Sequence, residues 1–340
     1  MIVKCVIWDL DNTLLDGVYL ESGSRPPGAD PAMLAAAATL RDRGIIHAVA
    51  SRNPPEAARH AARVTGLDFA AAECGWGRKS DAVRQIVADL GIGADAVAFV
   101  DDDIYERAEV SFAVPEALVL SPEDITDAVG WPEFSPGPVT AEARRRGEMY
   151  AERRRRLQEA RAFAGPRDEF LRYSRAEATI SPATQEDVPR LHELSVRTHQ
   201  FNTAGDPVTE PELRALIASP AHQVTAVRLR DRFGDDGLVG GCVVRPGPGE
   251  WTVTVLMMSC RATGRGVIEA LLAWLARSAG RAGAATLAVP CLVTTRNMPL
   301  RLALAGSGFR AAEGGPPGPA VFRRPLSGPA PELPGWVVAP

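Results

Sequence analysis

Residues Val3–Thr13 read VKCVIWDLDNT, an apolar and aromatic run that breaks into Asp9, Asp11 and Thr13. Such a run suits a strand buried on both faces of a parallel sheet. An acid–x–acid–x–hydroxyl ending then sets both carboxylates at the carboxyl edge of the strand, where open α/β sheets bind ligands. Carboxylates that close repel each other unless a cation lies between them. A hard divalent ion such as Mg²⁺, held by oxygen ligands, meets that need. The plainer alternative is a strand that finishes in an acidic turn.

The chain has 340 residues, 46% of them hydrophobic, which fits two globular domains. Its net charge of −4 gives no support for general nucleic-acid binding. No apolar run approaches the ~20 residues that span a bilayer. The N-terminus enters a strand directly, without a charged leader, so a cytoplasmic protein with no membrane contact is expected. Cys5, Cys74, Cys242, Cys260 and Cys291 are scattered and form no C-x-x-C pair, against a disulfide framework or a structural zinc site.

After Thr13 a polar, Gly/Pro-rich stretch leaves no room for an inserted domain. Asp30 and Pro31 mark the start of a helix running to about Arg43. IIHAVAS then reads as a strand ending at Ser51, followed by a helix over Pro54–Thr65 and a short strand over Leu67–Cys74. Gly75-Trp76-Gly77 turns the chain into Lys79 and a helix to Leu90. Ala96–Val100 is a fourth strand that runs into Asp101-Asp102-Asp103, and Ala117–Leu120 a fifth. Alternating strands and helices predict a doubly wound parallel sheet.

In such a sheet the polar strand endings share one edge. Asp9, Asp11, Ser51, Lys79, Asp101 and Asp102 therefore converge, a set suited to in-line phosphoryl transfer through an aspartyl ester. The motifs DxDxT, Ser, Lys and paired acids, in that order, resemble the haloacid dehalogenase superfamily. The resemblance implies a Mg²⁺-dependent catalytic domain over residues 1–130, without a large cap. Asp9 would be the nucleophile and Asp11 the general acid and then base. Lys79 would neutralise charge, and Ser51 would bind a phosphoryl oxygen. Mg²⁺ would be held by Asp9, the backbone carbonyl of Asp11, Asp101 and Asp102. Thr13, Arg52 and Asn53 would contact substrate, and Asp103 would cap a helix.

Residues 131–177 read as a connector: the Pro-rich WPEFSPGPVT, then a charged helix over 141–164 with Arg144–Arg146 and Arg153–Arg156. The run is either an exposed face whose stems cover apolar surface or a docking surface for an acidic partner. Residues 178–328 form a second domain, and 329–340 a Pro-rich tail. In it the strand WTVTVLMMS precedes Arg261-Ala-Thr-Gly264-Arg265-Gly266 and a helix over Val267–Ala282. Strand, Gly-rich loop and helix N-terminus make a phosphate cradle. The pattern R-x-x-G-x-G in this setting resembles the pyrophosphate loop of the GNAT acyltransferase fold. By that resemblance Arg261, Gly264, Arg265 and Gly266 would hold coenzyme A or a phosphopantetheine arm. Where that fold often carries a tyrosine, four residues before Gly308, this chain has Leu304, which cannot donate a proton.

Both halves together, with GWGRKSDAVRQI, FVDDDIYERAEV, RTHQFNTAG and LMMSCRATGRGV, resemble the FkbH-like proteins of polyketide pathways. The resemblance implies that a small phosphorylated three-carbon substrate, D-1,3-bisphosphoglycerate, loses both phosphates. Its glyceryl group is left as a thioester on an acyl carrier protein. Cys74 would be a covalent way-station, its pKa lowered by Lys79, unless it is an ordinary buried thiol. His199 and Asn202 would line a cleft between the domains. Two other readings stand beside this one: a plain Mg²⁺-dependent phosphatase with a non-catalytic second half, and an acyl-CoA-dependent acyltransferase.

Overall fold

In the computed structural model, which describes residues 2–23, 25–135, 140–313 and 318–340, the opening run forms β1 (Cys5–Trp8), buried along its whole length. The alternation that follows gives α1 (Pro31–Asp42), β2 (Ile46–Ser51), α2 (Pro55–Thr65), β3 (Phe69–Cys74) and α3 (Lys79–Leu90), then β4 (Val97–Val100), α4 (Ile104–Ala113), β5 (Leu118–Leu120) and α5 (Pro122–Ala128). The strands make a parallel sheet ordered β3-β2-β1-β4-β5, with β1 at its centre. Successive residues of β1 serve opposite cores. Val6 and Trp8 pack with Leu40 of α1, Ala61 of α2 and Ile125 of α5. Cys5 and Ile7 pack with Ile86 of α3 and Val110 of α4. The two-residue period of a strand thus feeds both helical layers.

Helix starts follow their capping chemistry. The Asp30 carboxylate accepts the backbone N–H groups of Ala32 and Met33, with Pro31 at the first helical position. Between Leu15 and α1 the described residues form a loop, closed at its base by a bridge between Leu15 and Ala29. His60 on α2 ties that loop down through the Pro27 carbonyl (2.7 Å).

The chain divides into two units, Met1–Leu157 and Gln158–Pro340. The connector expected at 131–177 is therefore mostly part of the first unit. Phe134 is fully buried there, and the Val3 N–H donates to the Glu133 carbonyl at 2.9 Å. Residues 136–139 of WPEFSPGPVT lie outside the described residues. The charged helix is two pieces, α6 (Ala141–Arg144) and α7 (Arg146–Ala162), with the division falling inside α7. Three of its arginines reach backbone carbonyls, while Arg144, Arg145 and Arg155 are exposed. Buried Arg146 donates to the carbonyl of Gly44 just past α1, Arg153 to that of Asp89 in the last turn of α3, and Arg154 to that of Phe69. Carbonyls at helix C-termini lack intrahelical partners and attract cations, which accounts for the Arg146 and Arg153 contacts, while Arg154 meets the start of β3.

The second unit contains α8 (Arg167–Tyr173), β6 (Glu177–Pro182), α9 (Val188–Arg197) and α10 (Glu210–Ala218), then β7 (Gln223–Asp231), β8 (Gly234–Arg245), β9 (Glu250–Met258), α11 (Val267–Arg281) and β10 (Thr286–Val293). It ends with α12 (Met298–Gly306), β11 (Arg310–Glu313), β12 (Gly318–Pro325) and β13 (Val337–Val338). Its mixed sheet is ordered β11-β12-β10-β9-β8-β7-β6-β13. The segment expected as a tail sends two residues into that sheet, because β13 pairs with β6, and the Ala178 N–H donates to the Trp336 carbonyl (2.9 Å). Without β13 that edge of β6 would be left unpaired.

One core residue makes the first unit sensitive to acid. His47 on β2 is buried and accepts the Trp8 indole N–H at Nδ1 (3.0 Å). Burial, with Arg41 adding to it, pulls its pKa down to about 4. The unfolded chain, with a His pKa near 6.5, binds a proton that the fold refuses between those values. Stability is therefore expected to fall as pH drops from about 6.5 towards 4, by up to on the order of 3 kcal/mol from this residue. Urea midpoints across that range should fall less steeply for His47→Gln, which keeps an acceptor for Trp8. Equal slopes would assign the titration elsewhere.

Candidate active site

Parallel pairing brings the polar strand endings together. The Asp9 N–H donates to the Val100 carbonyl at 2.9 Å, setting the first residue beyond β1 against the end of β4. Lys79 opens α3 and reaches back into this edge. Its ammonium donates to Asp9 Oδ1, to Asp101 Oδ2 (2.9 Å) and to the Ala50 carbonyl (3.0 Å). All three side chains are buried, and three donors on three acceptors fix the ammonium. Burial pulls the Lys79 ammonium down, but Asp9 and Asp101 more than offset it and hold its pKa above the usual value. Burial pushes the Asp9 carboxyl up to about 6, with Asp101 adding to the push and Lys79 opposing it.

One oxygen from each of Asp9, Asp101 and Asp102 lies within 4.8 Å of the others. Three carboxylates against one ammonium leave the group negative, and every donor is a hard oxygen, so the residues fit Mg²⁺. Asp102 is the exposed member. Burial and then Asp101 raise its pKa. Thr13 holds it at two points, accepting its backbone N–H (3.0 Å) and donating to its Oδ1 (3.2 Å). Asp103 caps α4 through the Tyr105 N–H (2.8 Å).

Asp11 is held apart from that group. After β1 the chain turns through Leu10–Leu14 with Asn12 in the left-handed region (φ 51°), which Asn tolerates better than most residues. The Asp11 carboxylate instead accepts the Tyr19 N–H (2.9 Å) and the Asn53 amide (3.0 Å). The same Asn53 nitrogen donates to Ser51 Oγ at 3.1 Å. Asn53, expected to contact substrate, thus positions Asp11 and Ser51. Arg52 pairs with Glu106 (2.9 Å) and remains half-exposed.

Beside the acids opens a cavity of about 300 Å³, lined by Ser51, Arg52, Cys74, Arg78, Lys79 and Gln85. Cys74 does not have the lowered pKa expected of a way-station. Burial raises it, Glu73 and Asp9 add to that, and the opposing pull of Lys79 is too weak to reverse it. One residue escaped the sequence reading. Arg107 donates to the carbonyls of both Asp101 and Asp102 (2.7 Å each) and so clamps the acidic turn. An arginine one turn into a helix carries no mark of that task.

The second unit rearranges its expected site. Gly264 and Gly266 do take left-handed backbone (φ 76° and 74°) before α11, as a phosphate-cradling loop would. The two arginines, however, face the β7–β8 hairpin. Buried Arg265 pairs with Asp231 (2.8 Å) and Asp236, and buried Arg261 donates to the Asp236 carbonyl (3.5 Å). They brace the loop against the hairpin. Asn202 spends its amide on the carbonyls of Ser195 and Thr198 (3.1 Å each) and accepts the Ala204 N–H, so it pins a loop and is not offered to substrate. His199 is exposed in the second unit.

No protein-family model matches the chain, and no curated protein matches it. Among solved structures, the first unit is similar to the N-terminal part of the protein BF1531 from Bacteroides fragilis, described as containing a phosphatase domain complexed with Mg. The identity is 31% over 39% of this chain and 40% of that one, with a TM-score of 0.35. The match thus spans well under half the length of that protein. The ribosomal-protein-S18-alanine N-acetyltransferase of Escherichia coli is 18% identical over 46% of this chain and 98% of its own (TM-score 0.36). The GNAT domain of S. lividans PAT is 16% identical over 43% and 89% (TM-score 0.35).

Proposed function

We propose that the first unit is a Mg²⁺-dependent phosphatase that works through an aspartyl-phosphate at Asp9. The observation that carries this reading is the buried Asp9–Lys79–Asp101 contact, with Asp102 completing an oxygen-rich group. Burial lifts the Asp9 pKa to about 6, and the Lys79 ammonium opposes that push and favours the carboxylate that attacks. Lys79 holds one of its oxygens and leaves the other for the phosphorus. The P–O bond to the leaving group breaks as the Asp9 oxygen bonds to phosphorus, and Asp11 gives the departing oxygen its proton. Asp11 then takes a proton from water, whose oxygen attacks the aspartyl-phosphate and frees Asp9. Ser51, held by Asn53, donates to a phosphoryl oxygen. Mg²⁺ on Asp9, Asp101 and Asp102 would supply neutralisation of the phosphoryl charge.

The fuller reading is that the substrate is D-1,3-bisphosphoglycerate and that the glyceryl group passes to an acyl carrier protein. Its support is chemical: the 1-acyl phosphate is already activated for a thiol, and the 3-phosphate is a monoester of the kind Asp9 can open. The raised thiol pKa of Cys74 favours direct attack by the carrier thiol over relay through this protein.

Asp9→Asn is expected to lower phosphate release by at least about a thousandfold with an unchanged circular dichroism spectrum; near-normal rates would dismiss the nucleophile. Thr13→Val, which frees Asp102 without removing a carboxylate, is expected to weaken Mg²⁺ binding roughly tenfold to a hundredfold in calorimetric titration. An intact mass of a candidate carrier protein, incubated with bisphosphoglycerate, Mg²⁺ and this protein, tests the fuller reading. A glyceryl shift on the carrier supports loading, whereas phosphate release with no shift leaves the phosphatase alone.

A further inference from the structure

β9 and β10 run side by side for only three residue pairs, Glu250–Thr252 against Thr286–Ala288. Beyond those pairs both strands continue without facing each other, β9 to Met258 and β10 to Val293. Strands that part expose backbone N–H and C=O groups along two inner edges, and each such group needs a partner. A slot of this kind suits an extended, amide-bearing molecule that can pair as a short strand. The pantetheine arm of coenzyme A is one.

In this chain the slot is already filled. The segment Phe201–Thr203, leaving the end of α9, is paired into it on both sides. Toward β9, the Thr203 N–H donates to the Leu256 carbonyl (3.0 Å), Thr203 Oγ1 accepts the Leu256 N–H (2.8 Å) and the Phe201 carbonyl accepts the Met258 N–H (2.9 Å). Toward β10, the Thr203 carbonyl accepts the Leu292 N–H at 3.1 Å. Asn202 locks the segment from behind through Ser195, Thr198 and Ala204. Gly205 follows beside Leu292, where a Cβ would lie 2.8 Å from the end of that side chain and would only require it to shift. Phe201 also forms part of the wall of the neighbouring cavity of about 400 Å³, with Met258, Gly264, Ile268 and Leu302.

We infer that Phe201–Thr203 is a built-in strand that closes the second sheet, and that the second unit does not lodge the pantetheine arm of coenzyme A. Three further features agree. The guanidinium groups of Arg261 and Arg265 are engaged by Asp231 and Asp236. Leu304, fully buried in α12, offers no proton for a leaving thiol. The N–H groups of Leu256 and Met258, the donors an arm would use, are bonded to the chain itself. This inference is independent of the chemistry assigned to Asp9.

The test is calorimetric titration of the full chain with acetyl-coenzyme A and, separately, with 3′-phosphoadenosine 5′-diphosphate, which keeps the nucleotide and both 5′-phosphates and has no arm. No binding of either, or affinities equal within about threefold, is the expected result, because the arm adds nothing. Acetyl-coenzyme A binding more than about tenfold tighter than the diphosphate would overturn the inference. Hydrogen exchange gives a second readout that needs no variant. The amides of Leu256, Met258 and Leu292 should be protected without ligand and unchanged by acetyl-coenzyme A. Fast exchange in the free protein, or loss of protection over 201–205 on adding acetyl-coenzyme A, would show a displaceable segment and refute closure.

Discussion

A buried ammonium shared by two buried carboxylates is the constraint from which the first unit follows. Burying either sign alone is costly, and the cost is offset only when partners and hydrogen bonds are all in place. Lys79 meets that condition with Asp9, Asp101 and the Ala50 carbonyl. Those acceptors belong to three different strand ends, so the ion pair fixes register at the sheet edge as well as charge. The anchoring extends outward. Glu109 of α4 accepts the Ser80 N–H (3.0 Å) in the first turn of α3, holding the helix that carries Lys79 against the one that follows Asp101. Arg107 on α4 clamps the carbonyls of the acidic turn itself.

Two carboxylates separated by one residue usually repel and titrate as a pair. Here the turn through Asn12 sends them to different surroundings. Asp9 faces Lys79 in a dry setting that lifts its pKa, while Asp11 is partly accessible and held by neutral donors from Tyr19 and Asn53. Divergent environments are what the proposed division of labour, Asp9 as nucleophile and Asp11 as proton carrier, requires. The separation depends on the backbone at Leu10–Leu14 rather than on any charge.

The sheet of the first unit was legible because burial on both faces leaves long apolar runs, and because Asp30, Pro31 and Gly66 punctuate them. The converging acids were legible because parallel strands put all such endings on one edge. Arginine was not legible. Arg153 and Arg265 carry the same charge in the sequence whether they meet a carbonyl, an aspartate or a partner. Which one they meet depends on long-range packing, as with Asp89 for the first and Asp231 for the second. Cys74 misled for a similar reason: closeness to Lys79 in sequence promised an electrostatic effect, and desolvation outweighed it. The segment Phe201–Thr203 was beyond reach, since a few paired residues inside a loop show no period and their partners lie some fifty to ninety positions away.

Closure of the second sheet bears on how the chain could serve a thiol. An acyl phosphate needs no protein nucleophile, because its carbonyl carbon is already bonded to a good leaving group, and an incoming thiolate can displace phosphate in one step. Burial raises the Cys74 thiol pKa, which works against a thiolate there intervening in that step. Where Phe201–Thr203 pairs with Leu256, Met258 and Leu292, those backbone groups are not open to an extended arm. The ionic and hydrogen-bonding side chains of the first unit gather instead at Asp9, Asp11, Ser51 and Lys79, the set on which the proposed phosphoryl chemistry rests.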